Sequence, residues 1–376
     1  MVAPEISVLG WDHPRCTKPL TAAKAVWEAR TGDTVKLAFR TLEEFGDQSI
    51  EDAAGAHDVV FFDHPHVAHA AGTGALVPLD DLLPAETLEQ HAADAVGPSH
   101  RSYSYAGRQW GLAADAACQV TAYRPDRLEA PPATWDDVLA IARRHPGTVA
   151  LPMHPTHVLC AYLTLCRNRG GGWRDPEAGV PAVEFLRSLQ TVAGRKRTEP
   201  PALLHELTRR EGVLAMVPIV FGYVTYAVFG ADVEVPCTFC DLPSAGRGPS
   251  GSLLGGAGLG ISPTTRHPGA AAAFASWFCS AEVQRTVVAP GGGQPASREC
   301  WSDGATNRSW NNFFAGTLAT MEGASTRPRH PGWPRFQAVA GEYLAIALHG
   351  NEPPAAVVAG LAQLAARHRL GDDHTT

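Results

Sequence analysis

The chain has 376 residues, of which 45% are hydrophobic and 18% charged. This composition is ordinary for a globular protein and unlike that of disordered chains, and the length predicts about two domains. The formal net charge is -7 at neutral pH, and the basic residues are scattered rather than gathered into a stripe. We therefore expect no nucleic acid partner.

The first residues, MVAPEISVLGWDHPRC, contain no basic leader, no long apolar core and no small-residue cleavage site. No segment reaches the roughly 18 to 20 uninterrupted apolar residues that a transmembrane helix needs. We therefore expect a cytoplasmic protein, or an extracytoplasmic one from which a native export signal was removed.

The beginning of the chain alternates strands and helices. EISVLG (residues 5–10) predicts a first strand, LTAAKAVWEARTG a helix ending at Gly32, and TVKLAFRTL a second strand. HDVVFFDHP is a continuous apolar run typical of a buried parallel strand. RQWGLAADAACQVTAYR then predicts an extended crossing segment. This opening indicates a βαβ arrangement.

A second alternating set follows. PATWDDVLAIARRH predicts a helix with Thr134 as N-cap, and THVLCAYLTLCRN a helix capped at Thr156. EGVLAMVPIVFGYVTYAV predicts a strand, an apolar turn and a helix. The glycine-rich stretch 241–268 predicts a mobile or tightly turned connection, and the remainder is predicted to be largely helical. Two alternating sets together indicate an α/β fold.

The eight cysteines are spread through a chain that is large enough to fold without disulfides. We therefore predict buried free thiols. Cys237-Thr-Phe-Cys240 is the only CxxC sequence, and it has neither a second pair at zinc spacing nor a thioredoxin context. It is weak evidence for metal or redox chemistry.

Three segments are informative when their order and spacing are taken together: DVVFFDHPHVAHAAGTGALVPLDDLLP, YSYAGRQWGLAADAACQVTAYRPDRL and LGGAGLGISPTTRHPGAAAAFASWFCSAEVQRTVV. They resemble segments of family 1 extracellular solute-binding proteins, the carbohydrate-type receptors of ABC importers. The resemblance implies an α/β, two-lobed, periplasmic-binding-protein-like (type 2) fold with a ligand cleft between the lobes. The implied lobes are residues 1–110 plus 240–300, and residues 111–239 plus 301–376.

Two loops that follow predicted strands carry the sequence Asp-His-Pro. Ligand sites in open α/β sheets lie beyond the carboxyl ends of strands, so both loops are expected to face the cleft. Trp11 could stack on a sugar, Asp12 could accept hydrogen bonds from hydroxyls, and Arg15 could bind a carboxylate or phosphate. The alternative is that each aspartate caps a helix or closes a turn.

Other candidates lie on loops and crossing segments, and for them a structural hydrogen-bonding role is at least as consistent with the sequence. The predicted ligand-binding residues are Trp11, Asp12, His13, Arg15, His64, Asp115, Gln119, His154, Tyr223 and Gly256.

Four histidines on these loops raise a metal hypothesis, because imidazole is a common ligand of zinc and similar ions. They are His13, His64, His66 and His154. No tight histidine pair lies on one helix with a supporting acid, and Pro65 interrupts the nearest pair. We therefore assign no metal site and expect no cofactor.

Two functions remain open. The first is binding of a small polar ligand, a sugar-like polyol or a small carboxylate, by hinge closure of two lobes. An ABC permease would be its partner if the protein were exported. The second is a cytoplasmic enzyme on the same scaffold, a lyase, isomerase or cyclase, with His13 or His64 as general base and Arg15 holding an anionic substrate.

Overall fold

The computed structural model describes residues 3–193 and 198–371. The strands are β1 (Glu5–Trp11), β2 (Thr34–Arg40), β3 (Val59–Phe62), β4 (Ser104–Tyr105), β5 (Arg108–Gln109), β6 (Leu112–Tyr123), β7 (Met216–Phe221), β8 (Thr238–Cys240) and β9 (Leu254–Ile261). The helices are α1 (Pro14–Thr31), α2 (Leu42–Asp47), α3 (Ile50–Ala56), α4 (Val67–Thr73), α5 (Ala85–Asp94), α6 (Trp135–Arg144), α7 (Pro155–Asn168), α8 (Pro176–Ala193), α9 (Pro200–Leu207), α10 (Pro268–Phe278), α11 (Ala281–Val283), α12 (Arg298–Ser302), α13 (Gly304–Ser309), α14 (Phe313–Glu322), α15 (Trp333–His349) and α16 (Pro354–Arg367). The predicted α/β class is confirmed.

The chain divides into two compact units. Unit 1 comprises the residues up to Ala116, Gly255–Ser309 and Arg329–Pro331; unit 2 comprises Ala117–Leu254, Trp310–Pro328 and the residues from Gly332 onward. Strands β6 and β9 each run across the boundary in the sequence. Compared with the lobe boundaries expected from the sequence, this division assigns residues 240–254 to unit 2, and residues 111–116, 301–309 and 329–331 to unit 1.

Unit 1 is built on a mixed sheet in the order β2-β1-β3-β9-β6. β1 pairs in parallel with β2 along its whole length and with β3 at Val8 and Leu9, while β9 runs antiparallel to β3. All four residues of β3 are buried, as predicted from their continuous apolar run. Because β1, β2 and β3 are parallel, their carboxyl ends lie at one edge of the sheet.

Helix α1 begins earlier than the sequence indicated. The predicted helix began at Leu20, whereas the observed helix begins at Pro14 and contains Pro19, a residue that normally disfavours a helix interior. Pro14 occupies the first turn, where its missing N–H is not needed, and His13 caps the end by accepting a hydrogen bond from the Arg15 amide. The helix ends as predicted at Gly32, whose φ is 78°.

Unit 2 combines a short sheet with a helical layer. The second half of β6 pairs antiparallel with β7 and β8. Helix α7 packs on α15, and α8 packs on α16. The core between these elements contains large, almost fully buried aromatic rings: Trp135, Tyr162, Trp173, Trp333 and Phe336.

The two helix caps predicted in unit 2 have different outcomes. Thr134 caps α6 as predicted, and it forms a reciprocal capping box with Asp137. Thr156 does not cap α7, because that helix already begins at Pro155 with His154 as its N-cap. The fixed φ of proline suits the first helical position and so moves the start toward the N-terminus.

The glycine-rich stretch is not a loop throughout. The prediction of a mobile or tightly turned connection is wrong for Leu254–Ile261, which form β9. Three of its glycines, Gly256, Gly258 and Gly260, lie where a side chain would come too close to neighbouring atoms. A Cβ at Gly256 would overlap the backbone oxygen of Asp115, and one at Gly258 would lie 2.6 Å from the ring of Tyr103. Glycine here permits close packing rather than a turn.

All eight cysteines are free, and seven of them are buried, as predicted. Burial raises the pKa of the Cys16, Cys166 and Cys240 thiols to about 12. Cys237 and Cys240 therefore carry little thiolate at neutral pH, since burial raises the pKa of Cys237 as well. Over the described residues, no helix has the length and apolar character needed to cross a membrane.

Gly256 is expected to be the most sensitive position of β9. Its φ is 104°, so alanine would suffer both backbone strain and overlap with Asp115. We expect Gly256→Ala to lower the free energy of unfolding by about 3 kcal/mol or more, measured by urea denaturation. Gly246→Ala is the matched control, since its φ is 94° but a Cβ meets nothing within 4 Å. Equal losses in the two variants would contradict the close-packing explanation.

Candidate functional site

The carboxyl-terminal edge of unit 1 gathers charged residues from three neighbouring strands. Asp12 follows β1 with an exposed side chain, and its backbone N–H donates to the carbonyl of Arg40 at 2.7 Å. Arg40 ends β2, and Asp63 follows β3. This is the edge at which open α/β sheets bind ligands.

His13 stands between Asp12 and helix α1. Its Nδ1 accepts a hydrogen bond of 3.1 Å from the backbone N–H of Arg15, which makes Nε2 the protonated nitrogen of the neutral ring. Burial, with a smaller contribution from the positive charge of Arg15, lowers the pKa of His13 to about 4. At neutral pH the ring is therefore an uncharged hydrogen-bond donor.

Arg15 is paired inside unit 1. Its guanidinium forms a two-pronged ion pair with Asp115 on β6: Nε donates to Oδ2 at 2.8 Å, and Nη2 donates to Oδ1. Both side chains are only 5% exposed. The two predicted site residues are thus brought together, and each neutralises the other's charge.

Trp11 and His64 lie inside unit 1. The ring of Trp11 packs against Phe45 and Phe61, with centroid distances of 5.4 and 5.5 Å. His64 is fully buried, and its Nδ1 lies 3.2 Å from a carboxylate oxygen of Asp63. Trp11 is 5% exposed, so both rings contribute mainly to the core below the edge.

Three further candidates have clear structural contacts. Gln119 is buried in unit 2, where its side-chain oxygen accepts a hydrogen bond from Thr164. Tyr223 is buried at the start of a short 3-10 turn, with its ring 6.4 Å from that of Tyr226. Gly256 provides the close approach of β9 to Asp115 described above. Ligand contact by these residues remains a prediction.

A second polar cluster lies in unit 2. His154 Nδ1 is 3.3 Å from Glu199 Oε1, and His157 Nε2 is 2.6 Å from Glu199 Oε2. Although burial acts to raise the pKa of Glu199, the hydrogen bond from His157 and the nearby imidazoles lower it below its usual range. Within the described parts of the chain, this is the one group of three side chains placed to hold a metal ion. Of the four histidines considered from the sequence, it includes only His154.

Sequence reasoning missed Arg40 and Glu199. Arg40 is buried at the end of β2, where Nη2 donates to the carbonyl of Phe61 at 2.6 Å, and burial lowers its pKa to about 10. A charged residue closing an apolar strand was the available signal. Glu199 is distant in sequence from His154 and His157, so no local spacing could connect it to them.

The comparisons with known proteins identify the family. A sequence profile for bacterial extracellular solute-binding proteins matches residues 47–315. The chain belongs to that family. No curated protein sequence matches the chain.

Solved structures of solute-binding proteins share the fold over nearly the whole chain. A solute-binding protein from Agrobacterium radiobacter K84 in complex with ribitol is 19% identical, with 98% of this chain and 99% of that one covered and a TM-score of 0.80. The maltose-bound MalE3 of T. maritima is 18% identical, with 96% and 98% covered and a TM-score of 0.81. A solute-binding protein from Thermotoga lettingae bound with α-D-tagatose is 17% identical, with 97% and 100% covered and a TM-score of 0.82. The expected periplasmic-binding-protein fold is confirmed.

Family membership also corrects the expected location. The prediction of a cytoplasmic protein, made from the first residues, is wrong, because the matching family consists of extracellular solute-binding proteins. The alternative of a cytoplasmic enzyme depended on that location. A solute-binding protein takes up a small molecule, which agrees with the first of the two functions considered from the sequence.

His13 should remain neutral until strongly acidic pH. Because its pKa falls from 6.5 to about 4 on folding, the unfolded chain binds more protons between those values. The contribution of His13 to stability is therefore complete above about pH 6.5 and is lost as the pH falls toward 4. His13→Asn keeps a capping oxygen and should flatten this part of the stability curve, whereas His13→Ala should also lose the cap. An NMR titration midpoint near 6.5 for His13 would contradict the assignment.

Breaking the Arg15–Asp115 pair on one side should be costly. Arg15→Met leaves a buried carboxylate, Asp115→Leu leaves a buried guanidinium, and each should lower the free energy of unfolding by about 3–5 kcal/mol. The double variant should lose clearly less than the sum of the two, because neither charge is left alone. Urea denaturation of the four proteins gives the coupling, and additive losses would contradict the buried pair.

Proposed function

We propose that the solute of this protein is a neutral polyhydroxylated molecule, a sugar or a polyol, bound at the unit 1 edge by Asp12 and His13. Membership of the solute-binding family supports capture of a small molecule. The choice of a neutral ligand class rests on the pairing of Arg15. The cation best placed in sequence to attract an anionic ligand is committed to Asp115 in a buried pair.

The charge balance at this edge disfavours a carboxylate ligand. The Arg15 and Asp115 charges cancel, and the guanidinium of Arg40, which keeps its positive charge, is buried and donates to the carbonyl of Phe61 and to the side chain of Gln48. The exposed charge that remains next to His13 is the carboxylate of Asp12. An anion approaching this point would be repelled, whereas a neutral molecule would not.

The hydrogen-bonding groups match hydroxyls. A hydroxyl both donates and accepts, and so binds best between an acceptor and a donor. Asp12 offers carboxylate oxygens as acceptors, and the neutral ring of His13 has Nε2–H as a donor. A hydrogen bond from a hydroxyl to a carboxylate is among the stronger kinds in proteins.

The ligands bound in the similar structures agree with this class. Ribitol is a polyol, while tagatose and maltose are sugars, and each is bound by a protein of the same fold. Hinge closure of two lobes around the solute, and delivery to an ABC permease, complete the proposal. Both follow from what the family does rather than from a contact in this chain.

The experiment is calorimetric titration of the full chain with ribitol, D-tagatose and maltose, and with gluconate as an anionic polyol. We expect at least one neutral compound to bind and gluconate to bind much more weakly. Asp12→Ala should weaken binding about tenfold or more, because a charge-assisted hydrogen bond is lost. Arg15 is left unchanged, since its loss would damage the fold.

Glu89→Ala is the matched control, because Glu89 is an exposed acid on α5 of the same unit. The affinity of the Glu89→Ala variant for the sugar or polyol should equal that of the unmodified protein. Preference for gluconate, or sugar affinity that Asp12→Ala leaves intact, would refute the proposed ligand class or its site.

A further inference from the structure

The geometry points to a site in unit 2 for a divalent transition-metal ion such as Zn²⁺, with His154, His157 and Glu199 as its three protein ligands. Each residue offers one ligand atom, and the three atoms lie within 4.8 Å of one another. Two imidazoles and one carboxylate form a common zinc ligand set that leaves a fourth position open.

The distances suit a tetrahedral ion. Ligand atoms that lie about 2.0–2.1 Å from zinc at tetrahedral angles are roughly 3.3 Å from each other. His154 Nδ1 and Glu199 Oε1 are 3.3 Å apart. His157 Nε2 and Glu199 Oε2 are at hydrogen-bonding distance, 2.6 Å. Binding an ion between them would increase this distance to roughly 3.3 Å, a movement of less than about 1 Å. The three ligand atoms lie within 4.8 Å of one another, so binding an ion would require small movements of the side chains.

The backbone holds the three ligands at the ends of two helices. His154 is the N-cap of α7 and His157 lies in its first turn, while Glu199 is the N-cap of α9. The backbone N–H of His154 donates to the carbonyl of Thr198 at 3.3 Å, which brings the two caps together. The hydroxyl of Tyr226 donates to the carbonyl of Pro201, two residues after Glu199.

The cluster also lies at the ligand-binding edge of its own sheet. Residues 149–150 run parallel to the start of β7, with a bridge between Val149 and Met216. The chain then reaches His154, and β7 ends at Phe221, whose ring lies 5.9 Å from that of His157. His154 and His157 therefore follow the carboxyl end of one of two parallel segments, where binding residues lie in α/β sheets, whereas Glu199 reaches the cluster from the start of α9.

The hydrogen bonding of His154 supports an ion rather than a simple ion pair. Its Nδ1 is buried and forms no hydrogen bond with any residue that the structure describes, although the rest of the side chain is 43% exposed. Glu199 Oε1 lies 3.3 Å from this nitrogen without the geometry of a hydrogen bond, and a buried ring nitrogen that forms no hydrogen bond costs free energy. Coordination through its lone pair would satisfy this atom, and the exposed face gives an ion access to it.

This inference does not depend on the ligand class proposed for Asp12 and His13. The sugar or polyol site uses residues of unit 1, whereas all three metal ligands belong to unit 2. The two proposals are tested with different ligands and different variants, so either can fail alone.

The test is calorimetric titration of Zn²⁺ into chelator-treated full chain that carries no histidine tag. We expect one equivalent to bind. Co²⁺ should also bind and give the visible absorption of a tetrahedral site, without the near-ultraviolet band of a thiolate ligand, which separates this cluster from Cys237 and Cys240. A thiolate band would overturn the assignment.

Three single variants, His154→Gln, His157→Gln and Glu199→Gln, should each weaken zinc binding by about 100-fold or more. Changes in groups that only support metal ligands already cost 10–100-fold, and these residues are the ligands themselves. His205→Gln is the control, because His205 lies on α9 but its Nδ1 is paired with the carbonyl of Asp232. Its affinity should not change.

His154→Gln is the most informative variant, because that side chain is the most exposed of the two histidines and its replacement should leave the fold intact. Circular dichroism without metal provides the check. Failure of the unmodified protein to bind zinc at micromolar concentration, or equal affinity in folded His154→Gln, would overturn the site.

Discussion

The buried pair between Arg15 and Asp115 is the interaction on which unit 1 most depends. It joins the first turn of α1 to β6, and therefore fixes the edge loop that carries Asp12 and His13. Asp115 also determines how closely β9 approaches β6, because its backbone oxygen leaves no room for a side chain at Gly256. Asp115 thus holds the start of α1 through its carboxylate and limits the residue at Gly256 of β9 through its backbone oxygen. Its partner cannot serve an anionic ligand without leaving that carboxylate buried and alone.

The same pair shows how position and role separate. From the sequence, Arg15 and Asp115 were both candidates for ligand contact, and the structure brings them together at the expected edge. Their side chains nevertheless form an ion pair with each other. What remains outward is the carboxylate of Asp12 beside a neutral imidazole, and such a surface suits hydroxyl groups. The proposed ligand class therefore rests both on the cancelled charge of Arg15 and on the exposed charge of Asp12.

Local patterns predicted most of the fold. Alternation and apolar runs located β1, β2 and β3, and Gly32 and Thr134 marked a helix end and a helix start as expected. The errors arose where packing overrides local preference. Pro19 is tolerated inside α1, and glycines of β9 are required by neighbours that are distant in the sequence. The site was less predictable for the same reason, since Glu199 meets His154 only through folding. The location failed because it was inferred from the first residues, whereas the family match rests on residues 47–315.

The buried cysteines have a consequence for a protein of an extracellular family. Oxidising surroundings favour disulfides, yet all eight thiols are free and seven are enclosed in the folded chain. Oxidants react with thiolates, and burial keeps these groups protonated. Burial in the native fold therefore protects these cysteines from oxidation. Any excursion that opens either unit exposes several of them at once, so a reactive thiol becomes a chemical record that the molecule has unfolded.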